Sequence, residues 1–234
     1  MVKIKRFDPG IGRRLPREIV LKGIGYPKAE LAPQELINLT DEYIEAAVEY
    51  ADPAVVYRLS SFWVEEPNQV RLADELIIRS ERLYDTVKAC DGLVVGLITL
   101  GADVDKRIKA VSDQDVFGSY LLDVIGSFVL EMVAQQWWQE LTAELKQQGF
   151  NTSSFVSPGS KVFPLEEQKQ IFAFLRPEQI GVSLTASYLM QPSKSLSVVI
   201  GYGRNIAQAK YSHDCSACDM TDCLIRGIHL DLSE

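Results

Sequence analysis

The chain has 234 residues, 47% hydrophobic and 24% charged, with a formal net charge of −8 at pH 7. This is the composition of a soluble globular protein, long enough for one sizeable core or two small ones. The negative charge argues against nucleic acid, whose phosphates demand a basic surface. The longest apolar runs, such as 93–100 and 196–201, fall far short of the ~20 residues a membrane span needs. No apolar h-region follows Met1-Val-Lys-Ile-Lys-Arg, so a cytoplasmic protein meeting neither membrane nor nucleic acid is the expectation.

Lys3, Lys5, Arg6, Arg13, Arg14 and Arg17 concentrate positive charge at the start of the chain. With Pro9, Gly10 and Pro16 interleaved, residues 1–32 read as a mostly irregular N-terminal arm, solvated or packed along the domain; a specific acidic partner is the other reading. Apolar positions at Leu36, Leu39, Tyr43, Ala46, Ala47 and Tyr50 predict a helix over 33–50. Pro53 ends it, and the β-branched and aromatic residues of 55–63 predict a strand. Residues 70–90 return to helical spacing through Leu72, Leu76, Ile77, Leu83 and Val87. The continuous apolar run 93–100 suits a strand buried on both faces. A short helix over 104–111 comes next.

The longest predicted helix is 117–148, with Leu121, Val124, Ile125, Phe128, Val129, Met132, Val133 and Leu141 inward. Gly126 weakens it by ~1 kcal/mol, and Gly149 is a natural C-cap. Trp137 and Trp138, adjacent on this helix, cannot both face the core. Residues 151–161 are polar and turn-forming. Pro164, with Glu166 and Glu167 behind it, opens a helix that Pro177 stops. Residues 182–188 and 196–202 read as strands joined through Gln191-Pro192-Ser193. Helices interleaved with strands, without strict βαβ alternation, give the α+β class. The expected division is an arm (1–32), a main domain (33–205) and a cysteine-bearing segment (206–234).

One stretch carries a family resemblance. After Ser157-Pro158-Gly159 and the helix-like run from Pro164, the positions Leu184, Thr185, Ser187, Tyr188, Met190, Pro192, Ser195 and Ser197 match in order and spacing. This resembles the C-terminal activation domain of vitamin B12-dependent methionine synthase, specifically over 155–200 and diffusely over 50–150. The resemblance implies a single α+β domain with helices packed around a twisted, mainly antiparallel sheet. It also implies that the loop Ser157, Pro158, Gly159 and Ser160 lies where the family cradles S-adenosylmethionine, with Tyr188 nearby. The family pattern there is Arg-x-x-x-Gly-Tyr, whose Arg meets the methionine carboxylate. This chain has Phe155 and Ser160 at the Arg and Tyr positions. Loss of the Arg removes one of the stronger, charge-assisted hydrogen bonds, so weakened S-adenosylmethionine binding is expected. The loop is then either an altered ligand site or a remnant that shapes a docking face. Glu131 and Asp123 lie on the helix where the family places an acid near its ligand; a solvated or helix-pairing carboxylate is the alternative.

The segment His213-Asp-Cys-Ser-Ala-Cys-Asp-Met-Thr-Asp-Cys223 holds three of the four cysteines. Cys215 and Cys218 have chelating spacing, and Cys223 can close the same site. Three readings stand: an iron–sulfur cluster or other redox metal, a structural zinc held by His213 and the three thiolates, or free or disulfide-forming thiols. A cluster's fourth ligand would be His213, Cys90 or external. Otherwise Cys90 reads as a buried inert thiol and His229 as a surface or packing residue.

No Ser–His–Asp set, phosphate loop or His-x-x-x-His motif supports a hydrolase or kinase. In the family, the activation domain docks over cobalamin whose cobalt has slipped to Co(II). An electron from a flavoprotein or ferredoxin and a methyl group from S-adenosylmethionine restore methylcobalamin. This chain lacks the cobalamin motif Asp-x-His-x-x-Gly, so the resemblance implies an accessory protein that reactivates a corrinoid methyltransferase in trans, the cobalamin arriving on that partner. The rival is a non-catalytic assembly or scaffold protein with structural zinc.

Overall fold

Between Gly92 and Thr99 only Thr99 has a polar side chain, so this segment can satisfy its backbone only inside a sheet covered on both faces. In the computed structural model, which describes residues 1–73, 75–212 and 223, it is the middle strand of such a sheet. In chain order the elements are β1 (Lys3–Arg6), α1 (Arg17–Gly23), α2 (Gln34–Tyr50), β2 (Ala54–Ser60), β3 (Phe62–Glu65), β4 (Gln69–Leu72) and β5 (Ile77–Arg79). Then come α3 (Glu81–Val87), β6 (Gly92–Thr99), α4 (Ala102–Ser112), α5 (Val116–Gln147), β7 (Asn151–Val156), α6 (Gln168–Leu175), β8 (Ser183–Leu184), β9 (Met190–Gln191) and β10 (Ser195–Gly203). The main sheet runs β1-β2-β6-β10-β7, antiparallel throughout. Strands β3, β4 and β5 form a small second sheet, and β8 and β9 a two-stranded ribbon. The class is α+β, as expected.

Strand alternation divides the interior in two. Val94 and Ile98 of β6, Val55 and Tyr57 of β2, Val198 and Ile200 of β10, and Phe155 of β7 pack against α2 and α5. Leu93, Val95, Leu97, Ala54, Val56, Val199 and Val156 face the other way, onto α3, α6 and the second sheet. Helix α5 begins at the Asp115 cap, whose carboxylate accepts from the Gly118 N–H at 2.9 Å, and gives way to Gly149 at φ 81°. Such a cap satisfies a donor that the first helical turn leaves unpaired. The helix is long and apolar enough to cross a membrane, but 72% of its apolar window is buried inside the protein, as in a core helix. Contrary to expectation, both Trp137 and Trp138 face the core, because the sheet and the chain after β10 cover adjacent sectors of α5: one packs over Gly96 of β6, the other against Tyr211. Gly126 has a packing reason, since a Cβ there would lie 3.3 Å from Lys194 Cε.

Four further expectations change. The basic start of the chain is not an irregular arm. Lys3–Arg6 pairs in register with β2, while Ile11, Leu15, Val20 and Leu21 enter the core. Its cations are spread over the ion pairs Arg6–Asp52, Arg13–Glu45, Arg17–Asp41 and Lys5–Glu140. Residues 70–80 are the hairpin β4–β5, because Val70 and Leu72 alternate toward the core and Glu75 takes φ 62° in the turn. The helix starts only at Ser80, whose hydroxyl accepts from the Leu83 N–H. Residues 151–156, read as a turn, are the edge strand β7, where hydroxyls replace apolar packing: Ser153 Oγ accepts from the Gly201 N–H at 2.9 Å. Of 182–188, only Ser183–Leu184 is strand.

Candidate functional site

Helix α5, edge strand β7 and the chain after β10 converge on one cluster. Beyond Gly203 the backbone doubles back along β7. Asn151 Nδ2 donates to the Ile206 carbonyl at 2.8 Å, and the Ala209 N–H donates to the Thr152 carbonyl at 2.9 Å. The Gln208 amide engages Thr152 twice, accepting from its N–H at 3.1 Å and donating to its Oγ1 at 2.8 Å. These bonds give partners to the outer edge of β7, which would otherwise be exposed. They deliver Tyr211 to the face of α5, where its hydroxyl donates to Glu131 Oε1 at 2.7 Å.

The Tyr211 ring lies 5.2 Å from Phe155 and 5.8 Å, edge-on, from Trp138. Glu131 and Trp138 stand two helical turns apart on one face of α5, and Phe155 closes the cluster from β7. Beside the Tyr211 ring is an apolar void of about 10 Å³, also walled by Trp137, Val198 and Ile200. Burial, then the Glu131 charge and its hydrogen bond, push the Tyr211 phenol well above its ordinary pKa. The phenol is therefore neutral and a committed donor near pH 7. Trp138 is buried, and its Nε1–H has no hydrogen-bond partner among the described residues.

The structure thus gathers Glu131 and Phe155 around a residue that no sequence motif marked. Tyr211 follows a polar stretch without periodicity; its aromatic character beside the cysteine segment was the one available signal. Ser157, Pro158, Gly159 and Ser160 follow β7 directly and close a tight turn onto Phe163. The Gly159 and Ser160 N–H groups donate to the Phe163 carbonyl, and Ser160 Oγ accepts from the Phe163 N–H at 3.1 Å. Gly159 sits at φ 127° with open space where a side chain would be, while Ser157 Oγ is buried without a partner among the described residues.

Tyr188, half-exposed at φ 62°, lies on the β8–β9 ribbon, where its N–H donates to the Thr185 carbonyl. Ser195 and Ser197 serve the fold: Ser195 Oγ donates to Thr99 Oγ1, and Ser197 Oγ to Gln168 Oε1, each at 2.9 Å. Asp123 accepts from Lys194 Nζ at 2.7 Å, and Ser193 bonds Asp105 through both N–H and Oγ, so the segment after the ribbon is anchored to α4 and α5. His213, Cys215, Cys218 and His229 lie outside the described residues; Cys223 is half-buried and in no disulfide. Among the described residues no three His, Cys, Asp or Glu side chains form a group that could hold a metal ion. Cys90 is half-buried beside Gly201, and burial followed by Asp91 pushes its thiol up to about 11, in keeping with an inert role.

No family model matches the sequence, and no curated protein sequence matches it. Among solved structures the chain is similar to the crystal structure of the MetH reactivation domain bound to AdoHcy, with a TM-score of 0.66 and 14% sequence identity. The match covers 89% of this chain and 80% of that one. At that identity the likeness shows the fold alone, and the fold is that of the methionine synthase activation domain.

Proposed function

We propose that this protein reactivates a corrinoid-dependent methyltransferase, such as methionine synthase, in trans. The observation that carries the reading is the fold likeness over 89% of the chain to a reactivation domain holding AdoHcy. The cluster on α5 and β7 supports an adenosyl-type ligand in part. Glu131 offers a carboxylate to hydroxyl or ammonium groups, aromatic side chains offer walls to a flat ring, and the Trp138 N–H lacks a partner among the described residues. Phe155 does not fit, because an apolar ring cannot meet the ligand's carboxylate. S-adenosylmethionine, when bound, supplies the methyl group, and the cobalt that receives it belongs to the partner.

The electron is assigned to an iron–sulfur cluster on Cys215, Cys218 and Cys223, filled from a ferredoxin or flavoprotein.

The scaffold reading has one observation in its favour: Phe155 and Ser160 are both occupied by the fold itself. Two experiments separate them. Anaerobically purified protein should be brown and contain iron, with metal lost together in Cys215→Ser, Cys218→Ser and Cys223→Ser; a colourless zinc protein supports the scaffold. Pull-downs should favour the cob(II)alamin-loaded partner over the methylcobalamin-loaded one, since only differential contacts shift an equilibrium. Equal capture of both forms, or of neither, would sink the activator reading.

A further inference from the structure

The Tyr211 side chain fills its place as a ligand would. It enters from outside the sheet, on a segment without regular secondary structure, and spans 80 positions of sequence to meet Glu131. Among the described residues, the hydrogen bonds that tie 206–209 to the rest of the fold go to two adjacent residues, Asn151 and Thr152. Ala207, Gln208 and Lys210 are exposed, and the partly buried Tyr211 ring packs on the core beyond that node. The ring leaves the apolar void of about 10 Å³ beside it unfilled, and the buried Trp138 N–H has no partner among the described residues. A permanent core position would be close-packed and satisfied.

We propose that residues 205–212 are a displaceable strap, and that Tyr211 occupies a binding subsite for a flat aromatic ring with a hydrogen-bonding group directed at Glu131. The naming of that ring as the adenosyl group rests on the proposed function; the strap does not. A ligand entering the subsite must expel Tyr211, so its apparent affinity falls by the fraction of molecules with the strap open.

The test uses the full chain and two probes, p-cresol, which is the tyrosine side chain cut at Cβ, and S-adenosylhomocysteine. Tyr211→Ala vacates the subsite, while Gln208→Ala loosens the node and leaves the pocket walls untouched. Tyr211→Ala should bind p-cresol where the parent protein does not. Both variants should bind S-adenosylhomocysteine about 10-fold or more tightly than the parent, the gain expected if the strap is closed in at least nine molecules of ten. In Tyr211→Ala the two probes should compete. If the parent binds S-adenosylhomocysteine and the variants bind it no more tightly, the strap is overturned while the ligand reading stands. If p-cresol binds Tyr211→Ala but S-adenosylhomocysteine binds no form, the ring subsite is supported, the adenosyl reading falls, and the strap then stands only if Gln208→Ala also binds p-cresol more tightly than the parent. Failure of both probes in folded Tyr211→Ala, with Gln208→Ala no tighter than the parent, overturns the proposal.

Discussion

Restoring the arginine that the activation-domain pattern carries tests whether Phe155 is a vacated ligand position or a core residue. Phe155 is 4% exposed, lies opposite Ile200 in the sheet, and touches the Tyr211 ring. Truncating a buried Phe to Ala costs about 3–5 kcal/mol. In Phe155→Arg the three-carbon stem recovers part of that loss, but a guanidinium placed among Trp137, Trp138 and Val198 loses its hydration. The nearby carboxylate, Glu131, already accepts from Tyr211. Pairing the new cation with it would require moving that ring. The net cost should be about 4 kcal/mol or more, a large part of the 5–15 kcal/mol that holds a typical domain. Phe155→Leu, which keeps the site apolar and gives up only part of the volume, should cost less than the ~3–5 kcal/mol of truncation to Ala. Urea denaturation of the three proteins measures both differences, and calorimetric titration with S-adenosylmethionine measures whether affinity returns. A Phe155→Arg protein as stable as its parent and binding S-adenosylmethionine tenfold more tightly would refute the reasoning.

What could be read from the sequence followed the strength of the local pattern. Residues 93–100 were legible because a fully buried strand leaves an uninterrupted apolar run. Helix α5 was legible because its apolar positions repeat over nine turns between Asp115 and Gly149. Strand β7 was hidden because an edge strand can be held by hydroxyls: Thr152 bonds Thr142 and Gln208, and Ser153 bonds Gly201. At β4 the alternation of Val70 and Leu72 was too short to outweigh Leu76, Ile77, Leu83 and Val87, which continued a helical spacing across the Glu75 turn. The motif after Gly181 was legible as a fold signature; in the structure Ser195 and Ser197 bond Thr99 and Gln168. Tyr211 was not legible as a site residue, since nothing periodic leads to it and its partner is 80 positions away. The site depends on that long-range contact, and a motif scan sees only neighbours in sequence.

Three other outcomes follow from single positions. Cys90, with its thiol pushed up to about 11, should be alkylated by iodoacetamide at pH 8 roughly 100-fold more slowly than an ordinary thiol, because only the thiolate reacts; alkylation at the ordinary rate would contradict its burial beside Gly201. Gly96→Ala places a Cβ 2.4 Å from Trp137 Cη2. That overpacking should cost about 1–3 kcal/mol in urea denaturation, and much less when Trp137→Leu is already present; additive costs would refute the contact. The last concerns Tyr211, whose phenol is raised above the ordinary 10.0 in the folded protein, chiefly by burial and then by Glu131. A folded-state pKa above the unfolded one gives a contribution that is whole below the unfolded value and is lost as pH climbs from there to the folded value. Relative to Tyr211→Phe, which keeps the ring but cannot ionise, the parent protein should hold a constant margin up to about pH 10 and then lose about 1.4 kcal/mol per pH unit. Below pH 10 the margin should be about 1.5–3 kcal/mol, the range for a hydrogen bond to a charged group. Because the other tyrosines are common to both proteins, their titration cancels in the difference. A margin that stays flat to pH 11.5 would mean that the phenol is already in water, and the contact with Glu131 would have to be abandoned.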